Sequence, residues 1–185
     1  MNKPFSTDRA ARRRAWLAGL GVLVAAFACR WFWAAQERAV RWDEPDYLIL
    51  ARNLLRGAGY QVFGKPELIW PPGAPILAAS SMLAGVAADQ ALAAWHVIAG
   101  AALAGLVYGL SREVTGDARV AVLAGLLTAL SPALVVWPLY WGSNTESAFT
   151  ALIVAGLWAS WRMLRQGRWQ PALVAGLAFG LAEGL

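Results

Sequence analysis

Asp43 and Glu44 stand side by side in Trp42-Asp43-Glu44-Pro45-Asp46-Tyr47, directly ahead of an amphipathic run that ends at Arg56. Paired carboxylates at a helix start suit two compatible roles. One is capping, since acids before Pro45 satisfy free backbone N–H groups and favour the positive end of the helix. The other is general-base chemistry, in which a carboxylate accepts the proton of a reacting hydroxyl. Glu146 follows in Trp141-Gly142-Ser143-Asn144-Thr145-Glu146, where Ser143, Asn144 or Thr145 could cap a second helix. An acid so close to an apolar stretch is costly in hydrocarbon and usually faces a polar cavity. Arg38, Arg41, Arg52, Arg56 and Lys65 surround the acid pair with positive charge. That charge suits either a headgroup-facing surface or an anionic ligand such as a lipid phosphate, which Arg binds in bidentate fashion.

Other chemistries find little support. His96 is the sole histidine and lies within an apolar stretch, where it reads as a helix–helix hydrogen-bonding residue rather than a metal ligand. Cys29 is the only cysteine, which excludes an intrachain disulfide and a Cys-based metal cluster. There is no Gly-rich phosphate loop and no Ser/His/Asp set.

The elements that must position these residues are membrane helices. The 185-residue chain is 59% hydrophobic with a mean hydropathy of +0.49, and its apolar residues come in long blocks. Its net charge of +5 could suggest nucleic acid, but Lys and Arg cluster beside apolar blocks, which favours an anionic leaflet and orientation signals instead. Several of the eleven Trp residues, among them Trp137 and Trp141, lie near block ends and suit an interfacial aromatic belt. Arg12-Arg13-Arg14 before an apolar run resembles a signal peptide. The run nevertheless continues through Trp33-Ala34-Ala35 and reads as an uncleaved span.

The expected organisation is a basic cytoplasmic N-terminus over 1–14, then the N-terminal part of a transmembrane domain over 15–185, with an outer loop at 36–89. Tyr47, Leu50, Ala51, Leu54 and Leu55 share one face of a short surface helix that Gly57 and Gly59 end. Pro71 to about Val86 could be a short span or a second surface helix. Only the second choice puts Arg112/Arg119 and Arg162/Arg165/Arg168 on the cytoplasmic side with the N-terminus, as the positive-inside rule requires. Spans are then expected at about 15–35, 90–110, 120–140 and 147–164, with a fifth from about 171. Arg30 is expected to snorkel to headgroups. Ala175–Leu185 is still apolar apart from Glu183, so the chain reads as truncated.

Taken in order, these stretches resemble the N-terminal part of lipid-linked-sugar glycosyltransferases of the GT-C superfamily, in the bacterial branch related to protein O-mannosyltransferases and aminoarabinose transferases. The likeness rests on Asp43-Glu44 with Tyr47, Ala51-Arg52-Asn53-Leu54 and Gly59-Tyr60. Trp70-Pro71-Pro72-Gly73-Ala74-Pro75, Ser131-Pro132-Ala133 and Thr145-Glu146 complete it. Ala74 departs from the pattern, where an aromatic is common. The resemblance implies an all-α polytopic bundle with juxtamembrane helices in its first outer loop. It implies a multi-pass enzyme of the bacterial inner membrane, its N-terminus cytoplasmic.

The activity so implied is transfer of a sugar from a polyprenyl-phosphate donor to a glycan, lipid or protein acceptor at the periplasmic face, with inversion. Nucleic acid is not an expected partner. Asp43 would be the catalytic base and Glu44 its companion. Glu146, Arg41, Arg52, Lys65 and Tyr60 would form the substrate-binding set. Charge on the departing phosphate would be met by the cations or by a divalent metal. The alternative is a non-enzymatic polytopic protein, either a transporter subunit or a scaffold. Transporters carry their charges near the membrane midplane, and the acids here lie at helix ends.

Overall fold

A computed structural model describes residues 9–36, 39–142 and 145–185. Among the described residues the regular structure is helical apart from one pair of two-residue strands. Helix α1 (Arg9–Ala34) leads to α2 (Glu44–Leu55), the pair β1 (Gln61–Val62) and β2 (Lys65–Pro66), and α3 (Gly73–Leu83). A 3-10 turn at Ala88–Gln90 opens α4 (Ala91–Thr115). Then follow α5 (Ala118–Leu130), the short α6 (Pro132–Val135) and α7 (Trp137–Tyr140), α8 (Glu146–Gln166) and α9 (Gln170–Glu183).

Three helical stretches, 9–34, 88–115 and 146–166, are long and apolar enough to cross a membrane. Their outward faces carry large apolar residues such as Leu20, Val24, Phe27, Ile98 and Leu157. Their inward faces carry small ones. Leu23 packs on Gly105 and Trp158 on Gly109, so α1 and α8 each approach α4 where it has no side chain.

Contacts along the helices fix their directions. From one end of α1 to the other, Ala15 meets Tyr108, Leu23 meets Gly105 and Arg30 meets Gly100, so α1 and α4 are antiparallel. Ser147 meets His96 and Arg162 meets Glu113, so α8 runs parallel to α4. Phe179 against Gly156 brings α9 back alongside α8. Helix α3 begins and ends at one end of the bundle. Its Gly73 N–H donates to the Gly184 carbonyl beyond α9 (2.7 Å), and Trp95 in the first turns of α4 donates to the Leu77 carbonyl (2.8 Å). The stretch expected to be either span or surface helix is thus an 11-residue helix lying across the bundle end. The α4–α5 and α8–α9 connections, with Arg112, Arg119 and Arg165 at the adjoining helix ends and Arg168 between α8 and α9, lie at the opposite end, with the start of α1.

The expected span at 120–140 is not one helix. Helix α5 has 13 residues, about 20 Å, and stops at Ser131, whose ψ of 118° is extended. Pro132 has no N–H and cannot serve the Thr128 carbonyl, so the break leaves acceptors open. Arg30 fills them. Its guanidinium is fully buried and donates to the carbonyls of Thr128 (3.2 Å) and Ala129 (3.1 Å), at the negative end of the α5 dipole. It therefore points inward rather than snorkelling. Room for it exists because Gly100 has no Cβ, which would collide with Arg30 Nε.

Replacing Arg30 by Met leaves two carbonyls without donors, at about 1–3 kcal/mol each. The apparent Tm in detergent should fall by roughly 5–10 °C. Gly100→Val should lower it comparably, while Gly21→Ala, at an open position, should leave it unchanged or slightly raised. An Arg30→Met protein as heat-resistant as its parent would show that those carbonyls find other donors.

Candidate functional site

Helix α2 begins where the acid pair lies. Pro45 sits in its first turn, and a left-handed Gly57 (φ 70°) ends it. The Ala58 N–H returns to the Asn53 carbonyl and the Gly57 N–H to the Leu54 carbonyl, the paired bonds of a Schellman stop. Tyr47, Leu48 and Ala51 pack on Ala74, Ala78 and Ala79 of α3 and on Ala91 and Leu92 of α4. Burial of this small apolar core fixes the direction in which the start of α2 points.

The two acids are placed differently. Asp43 is exposed and makes no side-chain capping bond to α2, although it occupies the N-cap position. Glu44 is fully buried. The negative charge of Asp43 adds to burial in raising the pKa of Tyr47. Glu146 is exposed at the first position of α8. Thr145 makes no side-chain capping bond to α8, and Ser143 and Asn144 lie outside the described residues.

The turn before α8 touches the turn before α2. Gly142, with φ 71°, lies so close to the Arg41 carbonyl that a Cβ could not fit between them. Beside it the Trp42 indole stacks on Trp141 at 5.7 Å and 18°, and Trp141 stacks on Trp137 at 5.1 Å and 23°. Trp42 holds φ 54°, a left-handed conformation costing a bulky residue on the order of 1 kcal/mol or more. The stretches carrying Asp43-Glu44 and Glu146 therefore meet at one corner of the bundle.

His96 and Ser147 anchor that corner from within. His96 Nε2 lies 3.0 Å from the Val135 carbonyl, which can only accept, so this nitrogen carries a proton. The ring Nδ1 lies 3.0 Å from the Ser147 hydroxyl, which can donate or accept. Both groups are buried, and Ser147 follows Glu146 directly. His96 thus acts as the helix–helix hydrogen-bonding residue that its type and place suggested.

The proposed cations are dispersed. Arg41, Arg52, Arg56 and Lys65 are exposed, Arg52 in the last turn of α2 and Lys65 on the β-pair, while Arg38 lies outside the described residues. Tyr60 is committed to the backbone: its hydroxyl donates to the carbonyls of Trp70 (2.8 Å) and Pro71 (3.0 Å). Burial, helped by Glu67, holds its pKa above the usual value and so keeps that proton in place. Tyr60 therefore straps the Trp-Pro-Pro segment to the loop. Among the described residues, no three His, Cys, Asp or Glu side chains converge as a metal site.

Sequence reasoning missed the stacked indoles and Glu113. The i, i+4 spacing of Trp137 and Trp141, with Trp42 adjoining Asp43, was the available signal. Glu113 accepts from Trp158 Nε1 (2.8 Å) and from Arg162 Nε (2.9 Å) at the far end of the bundle. A cavity of about 500 Å³ lined by Trp158, Arg162, Arg168 and Val174 lies at that same far end, away from the acids.

No curated protein and no solved structure gives a significant match to the chain. A family model, described as dolichyl-phosphate-mannose-protein mannosyltransferase, matches residues 69–183, from just before α3 to the end of α9, leaving the Asp43-Glu44 turn outside the match. That match takes in well over half of the chain, which therefore belongs to the dolichyl-phosphate-mannose-protein mannosyltransferase family and is an all-α polytopic membrane glycosyltransferase of GT-C type that uses a lipid-linked sugar.

Proposed function

We propose that the protein moves a sugar from a polyprenyl-phosphate donor to a hydroxyl of a glycan, lipid or protein acceptor, with inversion, at the membrane face where α2 and α3 lie. The observation that carries this reading is the corner at which Arg41-Trp42, just before the exposed Asp43, packs on Trp141-Gly142 in the turn leading to Glu146. Asp43 takes the proton of the acceptor hydroxyl as its oxygen attacks the anomeric carbon. The bond from that carbon to the phosphate oxygen breaks, and the lipid phosphate departs with the electron pair. General-base assistance of this kind contributes ~10²–10⁴-fold. Arg41, the nearest exposed cation in sequence, can meet the developing phosphate charge, with Arg52, Lys65 or a divalent metal as further sources. The buried Glu44 orients this arrangement from beneath.

The active face is periplasmic in this reading, and the membrane is the bacterial inner membrane. Support comes from charge: Arg12–Arg14, Arg112, Arg119, Arg165 and Arg168 fall at the end opposite α2 and α3. A reporter fused after Gly116 should be cytoplasmic and one after Gly142 periplasmic. The opposite pattern would put the acids on the wrong side for a periplasmic reaction.

Asp43→Asn tests the base. Asn caps a helix about as well as Asp, so membrane abundance should stay near normal. Transfer from a polyprenyl-phosphate sugar should nevertheless fall at least ~10²-fold. Glu44→Gln should be milder in turnover. Near-normal turnover by Asp43→Asn would move the base elsewhere, with Glu146 the next candidate.

A further inference from the structure

The geometry points to the Trp42–Trp141–Trp137 ladder as the platform on which the sugar ring of the lipid-linked donor rests beside Asp43. This inference rests on the transfer reading above and adds the part of the protein that would recognise the sugar. The three indoles are near-parallel and offset, at 5.7 and 5.1 Å between centroids, yet remain 66%, 45% and 55% exposed. Stacking indoles on one another while leaving them open to solvent buries little apolar surface. Because near-parallel rings with centroids this far apart are staggered, it does leave part of the ring faces uncovered along a stepped apolar wall.

Two further observations locate the wall. Trp42 directly precedes the exposed Asp43, so one end of the ladder lies a single residue from the proposed base. Trp42 also keeps a left-handed φ of 54°, and Gly142 closes on the Arg41 carbonyl, so backbone strain and close packing hold the indole in place. An interfacial belt needs neither feature, because belt indoles have only to sit at the headgroup level.

The occupant follows from chemistry. A pyranose offers a face of C–H groups, polarised by the ring oxygens, to the negative face of an aromatic ring, and keeps its hydroxyls at the rim. Family membership supplies the sugar, carried on a lipid. An isoprenoid chain would bring apolar surface but would have no use for a wall that adjoins a solvated carboxylate and Arg41.

The test compares two probes, radiolabelled polyprenyl-phosphate mannose and the same polyprenyl phosphate without sugar, binding to the protein reconstituted in liposomes. The parent should bind the mannosyl lipid more tightly than the bare lipid. Trp141→Ala should lose ~10-fold in affinity for the mannosyl lipid and nothing for the bare one, and Trp141→Phe should keep most of the parent's preference. Trp137→Ala, at the end of the ladder away from Asp43, provides a second variant should Trp141→Ala fail to insert. Gly21→Ala, at an open position on α1 away from the ladder, should bind both lipids as the parent does. The platform is overturned if the ladder variants bind the mannosyl lipid normally, or if they lose both lipids equally, which would assign the ladder to the lipid tail. Those outcomes leave the transfer reading intact when Asp43→Asn still abolishes turnover. A ladder that selects the mannosyl lipid in a protein whose turnover ignores Asp43 would instead remove the catalytic base and keep the platform.

Discussion

A buried arginine meeting a broken helix is the interaction on which the architecture depends. A charge inside a membrane bundle is costly unless every donor is matched and an opposite potential is near. The end of α5 supplies the negative potential and acceptors for both terminal nitrogens, because Ser131-Pro132 interrupts the helix and leaves the carbonyls of Thr128 and Ala129 facing Arg30, while its buried Nε has no partner among the described residues. Neither partner makes sense alone: a freed carbonyl pair in hydrocarbon is unfavourable, and an unmatched guanidinium is more so. Together they join α1 to α5, and the bare backbone of Gly100 lets α4 close over them. Only four residues beyond Arg30, α1 ends and the chain departs for the acid pair.

The second freed carbonyl region is treated in the same way. Val135, at the end of α6, is met by His96 from α4, which also holds Ser147 at the start of α8. Two side chains from two different helices thus make the interrupted segment between 118 and 140 a fixed part of the bundle. The turn it leads into, Trp141-Gly142, is the one that abuts Arg41-Trp42. Irregular backbone inside the bundle is tolerated because protein donors satisfy it, and the candidate site adjoins that irregularity.

Much of this was legible in the sequence, for identifiable reasons. The period of Tyr47, Leu50, Ala51 and Leu54 and the Gly57 stop define α2 nearly to the residue, since local pattern and chain reversal agree. Charge balance placed α3 across the bundle end, a choice hydropathy could not make. What escaped was tertiary. Arg30 lies four residues from Ala26 and from Ala34 and eight from Val22, all buried on one stripe of α1, but its charge masked a register that the spacing displays. The break at Ser131 was hidden by the apolar residues on both sides, because hydropathy averages over a proline. The indole stack pairs residue 42 with residue 141, and no local pattern reports a contact so distant in sequence. The different burial of Asp43 and Glu44 was likewise out of reach, as it depends on what packs over the start of α2.

The bond from the Gly73 N–H to the Gly184 carbonyl has a bearing on the order of biogenesis. It joins the first turn of α3 to the end of α9 across nearly the whole of the bundle's sequence, and both sites lack a side chain at the point of approach. A chain leaving the ribosome inserts α1 and lays down α2 and α3 long before residue 184 has been made. Until then α3 has only α2 and α4 to rest on, and its N-terminal peptide faces water. The cap formed by α2 and α3 is therefore synthesised well before the residue that locks its first turn.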